Sequence, residues 1–306
     1  STNTPCRPAR SADFEGNLMT NLYEREDAYI PRVAAIHDLC GYGKCSLGVA
    51  IPVLSAAGCD VCPVPTGLFS SHTAFPGWYM HDTTDILGDY LAAWAGIGVE
   101  LDAVYSGFLG APEQVDIIKQ VWETYPKALR VVDPVMADHG KVYPTYTPEL
   151  VEAMGTLANG ADILTPNLTE AALLLDEPFH PGPYTHAYIE SLLRKLGALG
   201  PQKVVLTGVY FKEDELGAAT YDRTTDTIDY VFTQKIPGYY HGTGDVFASA
   251  LLSALLNDFS LIDAAAIAVH FTTDSIRRTY KAKTDYRFGV NFEQSFPDFL
   301  KELKLV

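Results

Sequence analysis

The sequence has no long hydrophobic run, since Gly, Pro, Asp or Lys interrupts every apolar stretch before the ~20 residues of a membrane span are reached. It is also poor in basic residues: Lys and Arg number 22 against 38 Asp and Glu, for a formal net charge of -16. A field of this sign repels polyanions, so we expect neither nucleic acid nor a membrane as a partner. A phosphate-bearing ligand would need local donors, mostly from the backbone.

Cysteine is scarce and odd in number. Five cysteines in 306 residues favour reduced thiols in a cytoplasm over a disulfide framework. Cys59 and Cys62 have the spacing of half a zinc site, but no second pair follows them. They lie in an extended run, where positions three apart point to opposite faces, so we interpret them as buried thiols rather than metal ligands.

Residues 1–31 lack the apolar segment of a secretory signal and mix Asn, Arg, Glu and Asp. We expect them to form a flexible leader. No repeat or low-complexity linker divides the rest of the chain, and an α/β chain of this length often folds around one sheet. We therefore predict a single domain over residues 32–306.

From residue 32 the pattern alternates short β-branched runs with segments of helical period. Strands are predicted over residues 33–36, 59–64, 103–105, 129–132, 163–165 and 204–207, and helices over 46–57, 83–95, 112–125, 148–157, 169–175, 189–199, 245–257 and 261–280. Residues 217–221 and 227–233 break the rhythm as a predicted antiparallel hairpin. This order predicts a three-layer α/β/α sandwich with a central, mostly parallel sheet. Ligands then bind at the carboxyl edge of the sheet.

A glycine-bearing turn follows the first predicted strand. Its residues, Gly41-Tyr-Gly-Lys44-Cys-Ser46, put a lysine where a P-loop lysine would lie. The Walker pattern fails twice, because it needs Gly where Asp38 stands and Ser or Thr where Cys45 stands. We therefore predict no Walker phosphate cradle, only a turn whose glycines let a substrate approach the backbone.

The segment His241-Gly-Thr-Gly-Asp245, which precedes an apolar helix, is the sharpest motif in the chain. Its glycines allow a tight turn, and the helix start leaves N–H groups pointing outward with the positive end of the helix dipole behind them. Such a turn forms an anion hole, beside which Asp245 is placed to take a proton from an attacking hydroxyl. The alternative is an ordinary helix N-cap by Asp or Thr.

Oxygen-rich residues follow two further strands. Asp133 and Asp138 come after the strand at 129–132, and Asn167 and Glu170 come after the strand at 163–165. Magnesium prefers such oxygen ligands, although loops often carry Asp and an Asn-x-x-Glu segment is also a helix cap. Together with the anion hole, these strand ends of one sheet indicate a phosphoryl-transfer site.

The loop after the second predicted strand mixes aromatic and polar residues, which suit a flat heteroaromatic substrate but more often simply pack: Phe69, Ser70, Ser71, His72, Thr73, Trp78 and Tyr79. The two serines lack a G-x-S-x-G elbow, so we predict no hydrolase triad. His37 and His270 fall on apolar segments, and we interpret both as core histidines with satisfied hydrogen bonds.

Residues 32–280 resemble the pyridoxal kinase family of the ribokinase-like superfamily. The Gly-Thr-Gly-Asp segment at 242–245 is similar to the anion-hole and base motif of the superfamily, and Asn167-x-x-Glu170 to its magnesium-associated motif. The segments at 69–73, 106–110, 133–136 and 165–167 are more particular to pyridoxal kinases. The resemblance implies a ribokinase-like fold, a homodimer, and ATP-dependent phosphorylation of the 5′-hydroxymethyl group of pyridoxal, pyridoxamine or pyridoxine in vitamin B6 salvage.

The resemblance also implies roles for single residues. Asp245 would deprotonate the hydroxyl, while the amides of Gly242, Thr243 and Gly244 would stabilise charge on the transferred phosphoryl group. The remaining roles are these: Asp133, Asp138 and Glu170 would organise Mg²⁺, directly or through water; Thr165 and Thr207 match positions near the triphosphate and a monovalent cation such as K⁺; Tyr143 matches a lid residue over the phosphates; and Phe69, His72, Thr73 and Trp78 would face the pyridine ring.

Three positions depart from the family: Asp38 stands for Ser against the substrate ring, Phe108 for Tyr, and Ala137 for Gly. A carboxylate at Asp38 could pair with a protonated ring nitrogen or with the amine of pyridoxamine, so we hypothesise a preference for that vitamer. Two alternatives stay open. The related hydroxymethylpyrimidine kinase shares the base and the anion hole, although the segment 69–73 favours a B6 vitamer. A non-catalytic B6-binding protein on the same fold would not need Asp245.

Overall fold

The chain is organised around one nine-stranded sheet in this computed structural model, which describes residues 22–26 and 28–306. Within those residues the strands are β1 (Arg32–Cys40), β2 (Asp60–Phe69), β3 (Met80–Asp82), β4 (Ala103–Ser106), β5 (Leu129–Val132), β6 (Ala137–Asp138), β7 (Lys141–Val142), β8 (Ile163–Leu164), β9 (Lys203–Val209), β10 (Glu215–Asp222) and β11 (Thr227–Gln234). The helices are α1 (Leu47–Ala56), α2 (Thr84–Gly96), α3 (Pro112–Thr124), α4 (Pro148–Asn159), α5 (Leu168–Leu174), α6 (His186–Ala198), α7 (Thr243–Leu255), α8 (Leu261–Ala282) and α9 (Phe296–Glu302). None of these helices is both long and apolar enough to span a membrane.

The strand order in the sheet is β11-β10-β9-β8-β5-β4-β1-β2-β3, and β6 pairs with β7 in a separate small hairpin. The six strands from β9 to β2 run parallel, whereas β3 and the β10–β11 hairpin are antiparallel additions at the two edges. The predicted mostly parallel sheet and the closing hairpin are therefore confirmed. The strands β3, β6 and β7 were not predicted, because their two or three residues show no period and, unlike the equally short β8, no run of buried apolar residues.

Alternating side chains along each buried strand pack against two separate helical layers, one on each face of the sheet. On β4, Ala103 and Tyr105 belong to the core beneath α1, α7, α8 and α9, while Val104 belongs to the core beneath α3, α4 and α6. A strand buried on both faces needs apolar residues at successive positions, which explains the β-branched runs in the sequence. The result is the predicted α/β/α sandwich.

The parallel register gathers the ends of the strands at one edge. Val132 of β5 pairs with Leu164 of β8, so the residues that follow them, Asp133 and Thr165, lie side by side. Asp38 lies near the end of β1, in the same half of the sheet. The carboxyl edge therefore collects the polar residues that the sequence analysis singled out.

Part of the predicted leader contacts the domain. The Arg25 guanidinium donates hydrogen bonds to Tyr29 O at 2.9 Å, Gly58 O at 3.2 Å and Asn257 Oδ1 at 2.5 Å. The Tyr29 hydroxyl donates to Asp102 Oδ2 at 2.9 Å. The rest of the leader prediction, at residues 1–21 and 27, lies outside the described residues.

The prediction of a core position is confirmed for His37 and wrong for His270, and the satisfied hydrogen bonds predicted for His37 are absent from the described residues. His37 is fully buried, but neither ring nitrogen has a hydrogen-bond partner among the described residues. Its ring packs edge-on against Tyr105 at 4.3 Å, and a Cβ at Gly107 would lie 2.2 Å from Nδ1, so this packing requires glycine. His270 is exposed and its Nδ1 lies 3.0 Å from Glu302 Oε2, because it falls on the solvent side of α8.

Candidate active site

The turn before α7 has the geometry of an anion hole. Gly242 is the N-cap residue with φ +73°, and no side chain caps the helix. A Cβ at Gly242 would lie 2.2 Å from Lys44 O, so only glycine fits. The N–H groups of the first turn of a helix have no acceptor within the helix, and they form the positive end of its dipole. The alternative of a Thr or Asp cap is therefore wrong, and these donors are left for a ligand.

Asp245, in the first turn of α7, is linked to Asp38 through Ser46. The Ser46 N–H donates to the Asp245 carboxylate, and its hydroxyl hydrogen bonds to Asp38. Burial raises the pKa of Asp245 to about 6, against the Ser46 hydrogen bond. Burial, with the charge of Asp245, raises the pKa of Asp38 to about 7. Two carboxyl groups with raised pKa values thus lie close together, which suits acid–base chemistry near neutral pH.

Lys44 does not serve as a phosphate-binding lysine. Its ammonium group donates to Val290 O at 3.3 Å, Asn291 Oδ1 at 3.2 Å and Glu293 Oε2 at 2.8 Å. Its backbone N–H donates to Phe288 O at 2.7 Å. These bonds hold the turn 41–46 against the segment 288–293, in agreement with the predicted failure of the Walker pattern.

Two buried carboxyl groups lie beneath the anion hole. Asp133, directly after β5, is 5% exposed, and Glu170, in α5, is 3% exposed. Burial and then the charge of Asp245 raise the pKa of Asp133 well above its usual range. Burial and then the charge of Asp133 raise the pKa of Glu170. Such mutual repulsion in a buried site is relieved by a proton or by a cation.

The Asn167-x-x-Glu170 segment forms a complete capping box. Asn167 Oδ1 accepts from the Thr169 and Glu170 N–H groups at 2.8 and 2.9 Å, and Glu170 Oε2 accepts from Asn167 N at 2.8 Å. Glu170 Oε1 accepts from Met136 N at 3.1 Å, and Asn167 Nδ2 donates to Ala137 O at 2.8 Å. The alternative structural role is therefore present. Each Glu170 oxygen keeps a lone pair, so a metal contact through water is compatible with the cap.

The β6–β7 hairpin brings Asp138 and Tyr143 over these carboxyl groups. The Tyr239 hydroxyl donates to Asp138 Oδ2 at 3.1 Å, which joins the hairpin to the loop before α7. The charges of Glu170 and Asp138 add to burial in raising the pKa of Tyr143, so its phenol faces them. The predicted lid residue and the predicted magnesium residues are thus close together.

The predicted ring pocket is partly assembled. The Phe69 ring contacts Trp78 at 5.8 Å and Phe108 at 5.6 Å, and Phe108 contacts Tyr146 at 5.6 Å between centroids. Cys40 and Cys45 complete the cluster around Phe69. Thr73 is exposed on the same loop, and His72 packs against His241 instead.

Thr165 and Thr207 are predicted to lie near the triphosphate: Thr165 directly follows β8, and Thr207 lies within the second half of the neighbouring β9. Thr165 is buried, and Thr207 N donates to Pro166 O at 2.9 Å. Three residues of the site were given no role from the sequence: Ser46, Tyr146 and His241. His241 stands directly before the anion-hole glycine, and this adjacency was the available signal. Ser46 and Tyr146 reach the site only through tertiary packing.

The sequence is similar to those of known kinases. The Phosphomethylpyrimidine kinase family matches residues 54–289. The Hydroxymethylpyrimidine/phosphomethylpyrimidine kinase of Mycobacterium tuberculosis is 28% identical over 257 residues, which cover 82% of this chain and 90% of that protein. Pyridoxal kinase PdxY of Deinococcus radiodurans is 31% identical over 192 residues, 59% of this chain and 63% of that protein.

Solved structures show the same architecture. A Bacteroides thetaiotaomicron protein assigned as a phosphomethylpyrimidine kinase and crystallised with pyridoxal has a TM-score of 0.85 and 37% identity, covering 89% of this chain and 96% of that chain. Pyridoxal kinase from Lactobacillus plantarum has a TM-score of 0.82 and 30% identity, covering 89% and 98%. Pyridoxal kinase from Leishmania donovani, in complex with ADP and pyridoxamine, has a TM-score of 0.77 at 22% identity, covering 88% and 95%, a likeness of fold. The predicted ribokinase-like fold is confirmed.

Proposed function

This chain belongs to the phosphomethylpyrimidine kinase family, and on that premise we propose that it is a pyridoxal kinase, which transfers the γ-phosphoryl group of ATP to the 5′-hydroxymethyl group of a B6 vitamer. The observation that carries the proposal is the aromatic wall of Phe69, Phe108 and Trp78, which packs against Cys45. The pKa of the Cys45 thiol is raised by its contact with Cys40, by burial and then by the charges of Asp38 and Asp245, so the wall lies near both carboxyl groups. A flat pyridine ring suits this wall. The relative that is 37% identical was crystallised with pyridoxal.

Catalysis rests on Asp245 and the turn before it. The Ser46 N–H orients the Asp245 carboxylate, which takes the proton from the attacking hydroxyl. The free amides at the start of α7 stabilise the charge on the transferring phosphoryl group, at a turn that Gly242 holds in place. Positioning and electrostatic stabilisation are what phosphoryl transfer requires of a protein.

The donor set fits Mg²⁺. Among the described residues, Asp133, Glu170 and Asp245 have no Lys or Arg partner, so their charges are left for a cation. In the same part of the chain no three His, Cys, Asp or Glu side chains converge as a metal cage. Mg²⁺ usually binds one or two carboxylates together with phosphates and water, so a cage is not needed. Asp133 would hold it directly, with Asp138 and Glu170 acting through water, and it would neutralise charge on the ATP phosphates.

We also assign the nucleotide and the monovalent cation to the carboxyl edge of the sheet. We assign the ATP phosphates to the space beside Tyr143, Asn167 and Thr207, and K⁺ or another monovalent cation to the Thr165–Thr207 region. The Leishmania donovani pyridoxal kinase was crystallised with ADP, which supports ATP as the phosphoryl donor. We expect Asp38 to pair with a cationic vitamer, so pyridoxamine is the expected preferred substrate.

A second candidate is hydroxymethylpyrimidine kinase. The Mycobacterium tuberculosis relative carries that activity in its name and matches more of this chain than the Deinococcus radiodurans pyridoxal kinase does. An acidic residue at Asp38 is also compatible with a pyrimidine ring. Both candidates use the same base and anion hole, so the ring pocket decides between them.

The test is ADP release with Mg-ATP and K⁺ across pyridoxal, pyridoxamine, pyridoxine and hydroxymethylpyrimidine. We expect turnover on a B6 vitamer that falls about 10²-fold or more in Asp245→Asn, whose binding of the vitamer persists. His270→Gln, exposed on α8, is the matched control and keeps full turnover. Turnover only on the pyrimidine would establish the second candidate. Vitamer binding without turnover on any compound would favour the non-catalytic B6-binding protein.

A further inference from the structure

Two histidines from separate loops meet beside the anion hole. The ring centroids of His72 and His241 are 4.5 Å apart, with the ring planes inclined by 49°. His72 belongs to the loop after β2, whereas His241 directly precedes Gly242. The pair therefore connects the loop of the proposed ring pocket with the turn that receives the phosphoryl group.

The hydrogen bonding of His72 fixes which ring nitrogen carries the proton. The Ala74 backbone N–H donates to His72 Nδ1 at 3.1 Å. A ring nitrogen that accepts a hydrogen bond is unprotonated, so the proton of the neutral ring lies on Nε2. Burial, and secondarily the neighbouring His241, lowers the pKa of His72 to about 4, which keeps the ring neutral near pH 7. His72 thus has one N–H donor, at its far nitrogen.

Both rings are held in place by their surroundings. The His72 backbone N–H donates to Tyr42 O at 2.8 Å, which ties its loop to the turn 41–46. The His241 ring packs against Tyr239 at 4.9 Å and Tyr286 at 6.1 Å. Burial lowers the pKa of His241, so it is also a neutral imidazole near pH 7.

The basic side chains of these loops are engaged elsewhere. Lys44 is bound by Glu293 and neighbouring oxygens, and Arg287 pairs with Asp285 at 2.7 Å while its guanidinium covers the Phe75 ring at 4.8 Å. The pocket itself contains the carboxyl groups described above. A phosphate ester formed on the acceptor therefore needs neutral donors, and the imidazoles stand beside the anion-hole amides.

We propose that His72 and His241 form an imidazole pair that binds the phosphate of the phosphorylated product and so extends the anion hole to the acceptor side. The inference rests on the proposed function only in placing the acceptor hydroxyl at Asp245. It gives His241 a role in holding the product, and it changes the role of His72 from a ring contact to a phosphate contact.

The test compares each alcohol with its own phosphate ester by calorimetry at pH 7.5: pyridoxine with pyridoxine 5′-phosphate, and hydroxymethylpyrimidine with its phosphate. His241→Phe keeps the ring packing without a donor. His72→Asn keeps an acceptor for the Ala74 N–H, since Asn bonds the backbone two residues on, but loses the far donor. His270→Gln is the control.

We expect each variant to weaken binding of the ester about tenfold while the alcohol binds as before, with the control unchanged. An unchanged ratio of ester to alcohol affinity in His241→Phe, with an unchanged melting temperature, would overturn the imidazole pair. The ratio of ester to alcohol affinity is measured with the pair of compounds, pyridine or pyrimidine, that the unsubstituted protein binds. Binding of the pyrimidine pair alone would therefore refute the pyridoxal kinase proposal and still decide this one.

Discussion

Ser46 contacts two carboxyl groups with two different groups of its own: its N–H donates to Asp245, and its hydroxyl bonds to Asp38. It has φ +51° and ψ −127°, a conformation that non-glycine residues rarely adopt, and it is 5% exposed. Backbone strain of this kind persists only where the surroundings enforce it. The contacts of Lys44 with Phe288 and Gly242 supply that enforcement. The proposed base and the predicted specificity residue thus both contact one strained residue.

The activity is expected to fall in acid at a pH set by Asp245. The base works only when ionised, and burial raises its pKa to about 6. kcat/KM should therefore drop as the pH falls through about 6, by about tenfold per pH unit below it. Initial rates between pH 5 and 8 measure this. Ser46→Gly keeps the N–H and tolerates the positive φ, so it should keep the same acid limb; a limb near the ordinary pKa of Asp would contradict the assignment.

Asp38 should make the stability of the protein decrease as the pH rises. Its pKa is raised from 3.8 to about 7, so the folded state binds a proton more tightly than the unfolded chain between those values. The free energy of unfolding then falls across this window, by as much as about 4 kcal/mol for this group. The Asp38→Asn variant has no titrating group at this position. The difference between its free energy of unfolding and that of the unsubstituted protein should therefore grow in favour of the variant from pH 4 to pH 7. Urea unfolding at several pH values tests this, and a difference independent of pH would refute it.

The vitamer preference should depend on the same residue. If the Asp38 carboxyl group pairs with the amine of pyridoxamine, Asp38→Ser should lower the kcat/KM ratio of pyridoxamine to pyridoxal by about tenfold or more, the value of a charged hydrogen bond. Steady-state kinetics on both vitamers give the ratio. An unchanged ratio would remove Asp38 from vitamer selection while leaving the base and the anion hole untouched.

Two neighbouring glycines should respond differently to alanine. A Cβ at Gly242 would meet Lys44 O at 2.2 Å at a positive φ, whereas a Cβ at Gly244 meets nothing within 4 Å. Gly242→Ala should therefore lose about 1–3 kcal/mol of stability and most of the activity, because the anion-hole turn must shift. Gly244→Ala should melt at nearly the original temperature. Equal melting temperatures of the two variants would show that the turn is less constrained than its contacts indicate.

The sequence pattern was sufficient for the fold but not for the site. Period and β-branched runs predicted β1, β4 and β5 because these strands are long or buried on both faces. The β6–β7 hairpin was not predicted because its four strand residues show no period, although it positions Asp138. The roles of Ser46 and His241 were not predicted for another reason. They depend on how the loops 41–46 and 69–79 pack near α7, and a local sequence pattern contains no information on that packing. The homodimer and the cytoplasmic location stay predictions.

Glu170 combines a structural and a proposed metal role, and one substitution should affect both. In Glu170→Gln one acceptor oxygen becomes an NH₂ group, which must face the N–H of either Asn167 or Met136. Leaving such a buried donor unpaired should cost about 1–3 kcal/mol of stability. If Glu170 also holds Mg²⁺ through water, the Mg²⁺ concentration for half-maximal turnover should rise several-fold at a temperature where the variant is folded. A stability loss with an unchanged Mg²⁺ requirement would reduce Glu170 to a helix cap, because the cap itself needs no metal.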